Sequence, residues 1–253
     1  MATSDSKRIE AVRNTCRIVD VLKDRGRCGV TEISDELDFS KSAVHAHLAT
    51  LREEGLVVKT DREYGLSLEF LDLAEHAKGK LADQQITQKV RELADETGEA
   101  VHFGTEEQGQ VVYTAKSYGD AAVKTASRIG KRMPMHSTSL GKAMLSEFPR
   151  EQVDRIIDEH GLPARTDSTI TDREELHEEL QRTRERGYSI DDAENIPGVR
   201  CIGMSVCDPD GDVLGGLSVS GPLERMTDDR LEEDLYRTLA QATNIIEVNT
   251  MYS

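Results

Sequence analysis

The sequence lacks any run of apolar residues long enough to span a membrane. Its first residues, MATSDSKRIEAVRN, are charged where a secretory signal would be apolar, so we expect a cytoplasmic protein. It has only four cysteines, with neither a CxxC pair nor zinc-ligand spacing: Cys16, Cys28, Cys201 and Cys207. We therefore expect reduced, mostly buried thiols, and no disulfide framework, structural metal or cofactor.

Positive charge is also scarce, since 32 Lys and Arg stand against 48 Asp and Glu, a net charge of −16. The imbalance is uneven. Residues 1–66 carry 11 basic and 12 acidic residues, and the remainder carries 21 and 36. The acidity therefore does not exclude contact between the first part of the chain and phosphates. Arginine outnumbers lysine by 21 to 11, and this composition favours a halophilic protein over an ordinary acidic one.

The first 66 residues have the pattern of a winged helix-turn-helix. Apolar spacing predicts a helix over 8–23 that buries Ile9, Val12, Cys16, Val19 and Leu22. A short helix over 31–37, with Thr31 as its N-cap, precedes a third over 41–54 capped by Ser40. The segment LVVKTDREYGLSL then predicts a β-hairpin.

Three helices and a hairpin are typical of DNA-binding domains, although the same plan also occurs in protein-interaction modules. The helical period of residues 67–83 predicts an exposed helix that links the two halves of the chain and is also available to pair with a second chain. Residues 84–253 are mixed α and β, so the overall fold class is α+β. There the pattern predicts strands at 100–107, 111–118, 123–128, 199–207 and 213–220, a turn at 130–134, and a last helix over 227–248.

The predicted third helix presents small and polar residues opposite its apolar stripe of Val44, Leu48 and Leu51. Small side chains allow a helix to enter a major groove, where hydroxyl and imidazole groups reach base edges or phosphates. His47 leans toward the core instead. The candidate DNA-binding residues are Lys41, Ser42, His45 and Arg52 on the helix and Arg62 at the tip of the hairpin.

Two closing strands suggest a ligand pocket. Strand alternation places Ile202, Met204, Val206, Leu217 and Val219 on a core face, and Cys201, Gly203, Ser205, Cys207, Gly216, Ser218 and Ser220 on the other. In a chain so rich in charge, an open face would carry Glu, Lys or Arg. Small hydroxyl and thiol groups indicate a site for a compact polar ligand.

A second feature indicates the same kind of site. The segment PMHSTSLGKA opens a helix whose first turn, residues 137–140, has free backbone N–H groups suited to a carboxylate. Its serines are also ordinary helix caps. Asp191 either accepts a hydrogen bond from a ligand hydroxyl or caps a turn.

Four segments resemble the IclR-type transcription regulators: KSAVHAHLATLREEGLV, GKRMPMHSTSLGKAML, ERGYSIDDAENIPGVRCIG and GGLSVSGP. The resemblance implies a winged-helix domain, a linker helix that helps dimerisation, and a GAF-like effector domain. It also implies a homodimer or dimer of dimers on a palindromic operator, and a small effector, often a carboxylate. By motif, the effector site falls on the backbone N–H groups of Ser139 and Leu140, with Asp191, Cys201, Ser218 and Ser220.

One departure concerns the DNA contacts, because family members commonly carry Arg where this chain has Ala46. A protein-interaction role for the winged helix therefore stays open. So does an enzyme with Cys201 as nucleophile and His136 as base, although no recognisable spacing pairs them. The sequence names neither the effector, nor the target genes, nor whether the protein activates or represses them.

Overall fold

A computed structural model describes residues 8–78, 84–124 and 127–250. The chain divides into two compact units, Met1–Lys78 and Gly79–Ser253, and the division falls within the predicted linker segment 67–83. Among the described residues, no helix is both long and apolar enough to cross a bilayer.

The first unit is a winged helix-turn-helix, as predicted. Its elements are α1 (Glu10–Arg25), β1 (Cys28–Gly29), α2 (Val30–Leu37), α3 (Lys41–Glu53), β2 (Val57–Thr60), β3 (Glu63–Leu66) and α4 (Glu69–Lys78). The hairpin β2–β3 gains a third antiparallel strand, β1, which pairs with β3 in the order β1-β3-β2. Of the predicted linker helix, α4 is described as helical and residues 79–83 lie outside the described residues.

The core of this unit corrects the predicted face of α1. Ile18, Val21 and Leu22 are buried, whereas Ile9 and Val12 are exposed by 67% and 57%, and the thiol of Cys16 is exposed as well. Only the C-terminal half of α1 packs into the core. In its first half, the regular spacing of apolar residues therefore does not correspond to a buried face. Val44, Leu48 and Leu51 of α3 are buried, as predicted.

The sequence predicts the N-cap of α3 correctly but not that of α2. Ser40 Oγ accepts from the backbone N–H of Ala43 at 3.2 Å, which confirms it as the N-cap of α3. Thr31 is not the N-cap of α2. That position is Gly29, whose N–H donates to Glu32 Oε2 at 2.7 Å, so the acidic residue satisfies the first turn.

The second unit is built on a six-stranded antiparallel sheet. Its strands are β4 (Ala100–Glu107), β5 (Gln110–Tyr118), β6 (Arg132–Pro134), β7 (Ser189–Asp192), β8 (Val199–Cys207) and β9 (Val213–Pro222), in the order β6-β5-β4-β9-β8-β7. Its helices are α5 (Gln84–Thr97), α6 (Ser139–Glu147), α7 (Arg150–His160), α8 (Arg173–Arg186) and α9 (Tyr236–Thr250), the last preceded by a π-helical turn, Arg230–Leu235.

One strand prediction and one turn prediction in this unit are wrong. The described residues of the predicted strand 123–128 form no strand, and the edge position beside β5 is taken by β6, within the segment predicted as a turn. The short strand β7 was not predicted, because its sequence, SIDD, has no apolar alternation.

Each face of the sheet is covered by a different hydrophobic cluster. The face that carries Ile202, Val206, Leu217 and Val219 packs against α5 and α9, which confirms the predicted core face. The second cluster is built from α6, α7 and α8 together with Val111 and Tyr113 of β5 and neighbouring residues. The opposite face of β8 and β9 therefore lies beneath α6, and this arrangement creates the candidate ligand site.

Candidate functional site

The exposed face of α3 carries the candidate DNA-binding side chains. Lys41, Ser42, His45 and Arg52 are all exposed, and so is Ala46 between them. The Ser42 hydroxyl lies 3.1 Å from that of Ser40. The face thus presents two cations, a hydroxyl and an imidazole around a small residue, which suits entry into a groove.

Arg62 lies in the two-residue turn between β2 and β3. Asp61, the first residue of that turn, has a φ of +58°, a conformation that tight hairpins require and that Asp tolerates. Arg62 is exposed at the tip. By contrast, His47 is partly buried, with its Nδ1 2.8 Å from the Thr15 hydroxyl, as expected for a histidine that leans toward the core.

In the second unit, one cavity of about 540 Å³ brings together every predicted effector residue. Its lining includes the six predicted residues Ser139, Leu140, Asp191, Cys201, Ser218 and Ser220. The volume falls within the range of roughly 300–1,000 Å³ that is usual for small-molecule sites. The six come from α6, β7, β8 and β9, so the fold gathers residues that are up to 81 positions apart in the sequence.

The N-terminus of α6 reaches this cavity because glycines let the helix lie directly on the sheet. A Cβ atom added to Gly203 would stand 2.6 Å from the carbonyl carbon of Ser139, and one added to Gly216 would stand 2.8 Å from the Leu140 oxygen. The small face of β8 and β9 therefore has two roles. Its glycines admit α6, and Cys201, Ser218 and Ser220 line the cavity.

The first turn of α6 has no side-chain cap. Thr138 is the N-cap residue, but its hydroxyl donates to the Pro134 carbonyl at 3.0 Å and not to the helix. The Ser139 hydroxyl is buried and has no hydrogen-bond partner among the described residues. An anion at this end would meet free N–H groups, a free hydroxyl and the positive end of the helix dipole.

Asp191 is held by the backbone that follows it. Its Oδ1 accepts from the N–H groups of Glu194 and Asn195 at 2.8 and 3.2 Å. Burial, followed by the charge of Glu194, raises the pKa of Asp191 to about 7, although Lys142 opposes both. The carboxyl group is therefore both a turn cap and a titratable cavity residue, so the two readings of its role are compatible.

A buried ion pair lies behind Asp191. Lys142 of α6 is 1% exposed, and its ammonium donates to Glu194 Oε1 and lies 3.9 Å from Glu179 Oε1. A buried ammonium is stable only when it is paired. The pair connects α6 to the loop that follows β7 and so fixes two walls of the cavity.

The cavity does not have the chemistry of a cysteine enzyme. Burial raises the pKa of Cys201 well above its usual value, and its thiol lies 3.7 Å from Asp191 Oδ2. The protonated thiol is a poor nucleophile. His136, the candidate base, is not in this lining, and its Nε2 lies 3.2 Å from the Pro163 carbonyl oxygen.

Several cavity residues were not predicted from the sequence. They include His102 on β4, Tyr113 on β5, Lys131, Arg165 and Asn195. Burial, together with the charge of Lys116, lowers the pKa of His102 to about 4. His102 sits opposite Ser218 in the β4–β9 ladder, a pairing between distant segments that alternation along one strand does not reveal.

Comparisons with known proteins agree with a DNA-binding regulator that has a separate effector domain. Residues 81–247 match the family model described as bacterial transcriptional regulator IclR C-terminal, and residues 14–59 match bacterial regulatory protein, arsR family. The first match spans well over half of the chain. The chain therefore belongs to the IclR family of transcription regulators.

Individual relatives are similar over nearly the whole chain. The HTH-type transcriptional regulator KdgR of Escherichia coli (strain K12) is 33% identical over 244 residues, 92% of this chain and 91% of that protein. The crystal structure of the Thermotoga maritima IclR has a TM-score of 0.75 at 27% identity and covers 96% of this chain and 99% of that one. These relatives are named as transcriptional regulators, which agrees with a regulator of the same family.

A further structure shares the fold at lower identity. The crystal structure of an IclR homolog complexed with 4-hydroxybenzoate from Microbacterium hydrocarbonoxydans has a TM-score of 0.80 at 20% identity. It covers 96% of this chain and 100% of that chain.

Proposed function

We propose that this regulator binds a specific operator through α3 and the β2–β3 hairpin, and that a small carboxylate in the cavity of the second unit controls that binding. The observation that carries the proposal is the convergence of the six predicted effector residues on a single cavity with an uncapped helix N-terminus. A structural neighbour complexed with 4-hydroxybenzoate, itself a carboxylate, supports the ligand class.

In this proposal Lys41, Arg52 and Arg62 contact phosphates, and Ser42 and His45 read base edges. The near balance of charge in residues 1–66 leaves few phosphate contacts, so base readout and shape supply much of the affinity. Because Ala46 has no long side chain to contact DNA, the contacts of α3 are made by Lys41, Ser42, His45 and Arg52.

The active form is a homodimer, or a dimer of dimers, on a palindromic site. The exposed apolar side chains of the first unit support a second copy as partner, because large apolar groups in water mark contact surfaces. Leu68, Leu71 and Leu73, at and within α4, are exposed by 80%, 64% and 48%. We infer that α4 is the pairing element, and that the GAF-like domain transmits ligand binding through it.

Ligand control requires that the effector bind one arrangement of the dimer better than another. Binding in the cavity would then change the spacing of the two winged helices and so the operator affinity. The acidic composition further suggests a halophilic protein. Its cytoplasmic location remains a prediction.

The test begins with genome-wide occupancy of the tagged protein in its own cells, followed by gel shifts on the sites found. We expect discrete peaks that share an inverted repeat. His45→Ala should weaken specific binding by about tenfold or more, since one base contact is worth roughly 1–3 kcal/mol. Arg62→Ala should weaken specific and non-specific binding alike and lower the salt dependence.

Arg155→Ala, an exposed arginine of α7 in the other unit, is the matched control and should bind DNA like the parent. A flat occupancy profile from a folded, expressed protein would contradict the DNA-binding part of the proposal. Saturation of the cavity with a carboxylate that leaves operator affinity unchanged would contradict the control mechanism.

A further inference from the structure

The cavity has a charge opposite to that of the unit around it. Lys124, Lys131 and Arg165 line it, and among the described lining residues Asp191 is the only carboxylic acid. Yet residues 67–253 carry 21 basic and 36 acidic residues. A cavity lined at random from this unit would carry more acidic than basic residues, so the excess of cations points to a negatively charged occupant.

The cations also lie close to one another. Burial lowers the pKa of Lys131, and the charges of Arg165, Arg128 and Lys116 lower it further. The ammonium of Lys116 donates to the hydroxyl of Ser127, another lining residue, at 3.2 Å. Like charges that are gathered at a partly buried site repel one another, which costs free energy. An anion bound among them is attracted by each cation and offsets that repulsion.

The helix end and the cations line the same cavity but come from different segments of the chain. The first is the uncapped turn at Ser139, with its buried, unpartnered hydroxyl, and Asn195 Oδ1 is a second buried lining atom without a described partner. The second is formed by side chains from outside α6, Lys131 and Arg165. One carboxylate has two oxygens, which the N–H groups of the helix end can satisfy.

We propose that the effector carries two anionic groups, one bound at the N-terminus of α6 and the other between Lys131 and Arg165. This inference rests on the proposed function, because it takes the first group to be the carboxylate at α6. The second group is a carboxylate or a phosphate, since Arg and Lys bind both. A cavity of about 540 Å³ has room for a ligand that extends from one group to the other.

The experiment compares acids that differ in one charge but hardly in shape. Succinate, glutarate, adipate and pimelate are each titrated calorimetrically into the full-length protein beside the corresponding monoamide, at constant ionic strength. A second arm compares 3-phosphoglycerate with glycerate. We expect a diacid to bind at least about tenfold more tightly than its monoamide, the scale of one charge-assisted hydrogen bond. If 3-phosphoglycerate binds more tightly than every diacid, the second group is a phosphate.

Variants locate the second group. Arg165→Gln and Lys131→Gln should lower the affinity for the diacid to that of the monoamide and leave the affinity for the monoamide unchanged. Arg165→Lys keeps the charge and should retain part of the preference. Arg155→Gln removes an exposed arginine outside the cavity and should have no effect on either ligand.

The outcomes separate this inference from the function on which it rests. Equal affinity for each diacid and its monoamide, and for 3-phosphoglycerate and glycerate, would overturn the second anionic group and leave a carboxylate effector intact. A preference for the doubly charged acids that survives both Gln variants would overturn the assignment to Lys131 and Arg165. Failure of every acid in the panel to bind would overturn both proposals.

Discussion

Asp191 is a buried carboxyl group in a cavity proposed to receive another carboxylate. Burial, then the charge of Glu194, holds its pKa at about 7, against an ordinary value of 3.8. Between pH 3.8 and about 7, Asp191 is therefore protonated in the folded protein but largely ionised in the unfolded chain. The contribution of Asp191 to stability is therefore fully present below pH 3.8 and is lost progressively as the pH rises from there to about 7.

The same titration should control ligand affinity. Below pH 7 a neutral Asp191 donates a hydrogen bond, and above it the ionised group repels the carboxylate. For an acid that is ionised throughout, we expect affinity to fall by up to about tenfold per pH unit above pH 7. His102 stays neutral in this range because its pKa is about 4. Calorimetric titration of the tightest-binding acid between pH 6 and 8 measures the effect.

Asp191→Asn is the informative variant, because its amide oxygen can still accept from Glu194 and Asn195. It should bind at pH 6 nearly as the parent does and lose the decline toward pH 8. Asp192→Asn, the exposed neighbour, should keep the parental profile. A decline that persists unchanged in Asp191→Asn would mean that another group titrates.

At the scale of elements, the position of α6 on the sheet decides whether the cavity exists. Gly203→Ala would place a Cβ atom 2.6 Å from Ser139 backbone, which cannot rotate away as a side chain can. We expect a loss of about 1–3 kcal/mol in the free energy of unfolding, typical of overpacking. Because the helix end must move, we also expect ligand affinity to fall. Thermal unfolding and titration of the same acid measure both.

Gly65→Ala in β3 is the matched control, since its Cβ atom would meet only the flexible Arg27 side chain, at 3.0 Å. It should change neither the stability of the second unit nor ligand binding. Loss of stability in Gly203→Ala with full ligand affinity would show that the exact position of the helix end does not matter for binding.

The elements also show what the sequence can predict. The winged helix, α3 with its Ser40 cap, and the alternation of β8 and β9 were predicted because each depends on neighbours along the chain. The exposed first half of α1 was not, because burial depends on what packs against it. Lys131 and Arg165 were also missed. Their common position arises from packing between distant segments, which leaves no periodic signal.

At the scale of the whole molecule, the net charge of −16 gives the chain a property that no single residue has. Its ion pairs bring some opposite charges together, such as Glu99 with Arg225 and Arg230. The excess of acid nevertheless remains over residues 67–253, where the like charges repel one another and favour expansion. Salt screens that repulsion over about 10 Å at 0.1 M and over about 3 Å at 1 M.

We therefore expect the midpoint of thermal unfolding to rise as KCl is increased from about 0.1 to about 2 M. The acidic residues lie closer together in the folded state than in the unfolded chain, so screening weakens their repulsion more in the folded state. Differential scanning calorimetry over the salt series measures it, with equal osmolality of glycerol as the control for non-ionic effects. The same salt must weaken operator binding, but with a shallow slope, since few phosphates are contacted. A midpoint that stays level or falls in KCl would remove the argument for a halophilic protein and leave an ordinary acidic one.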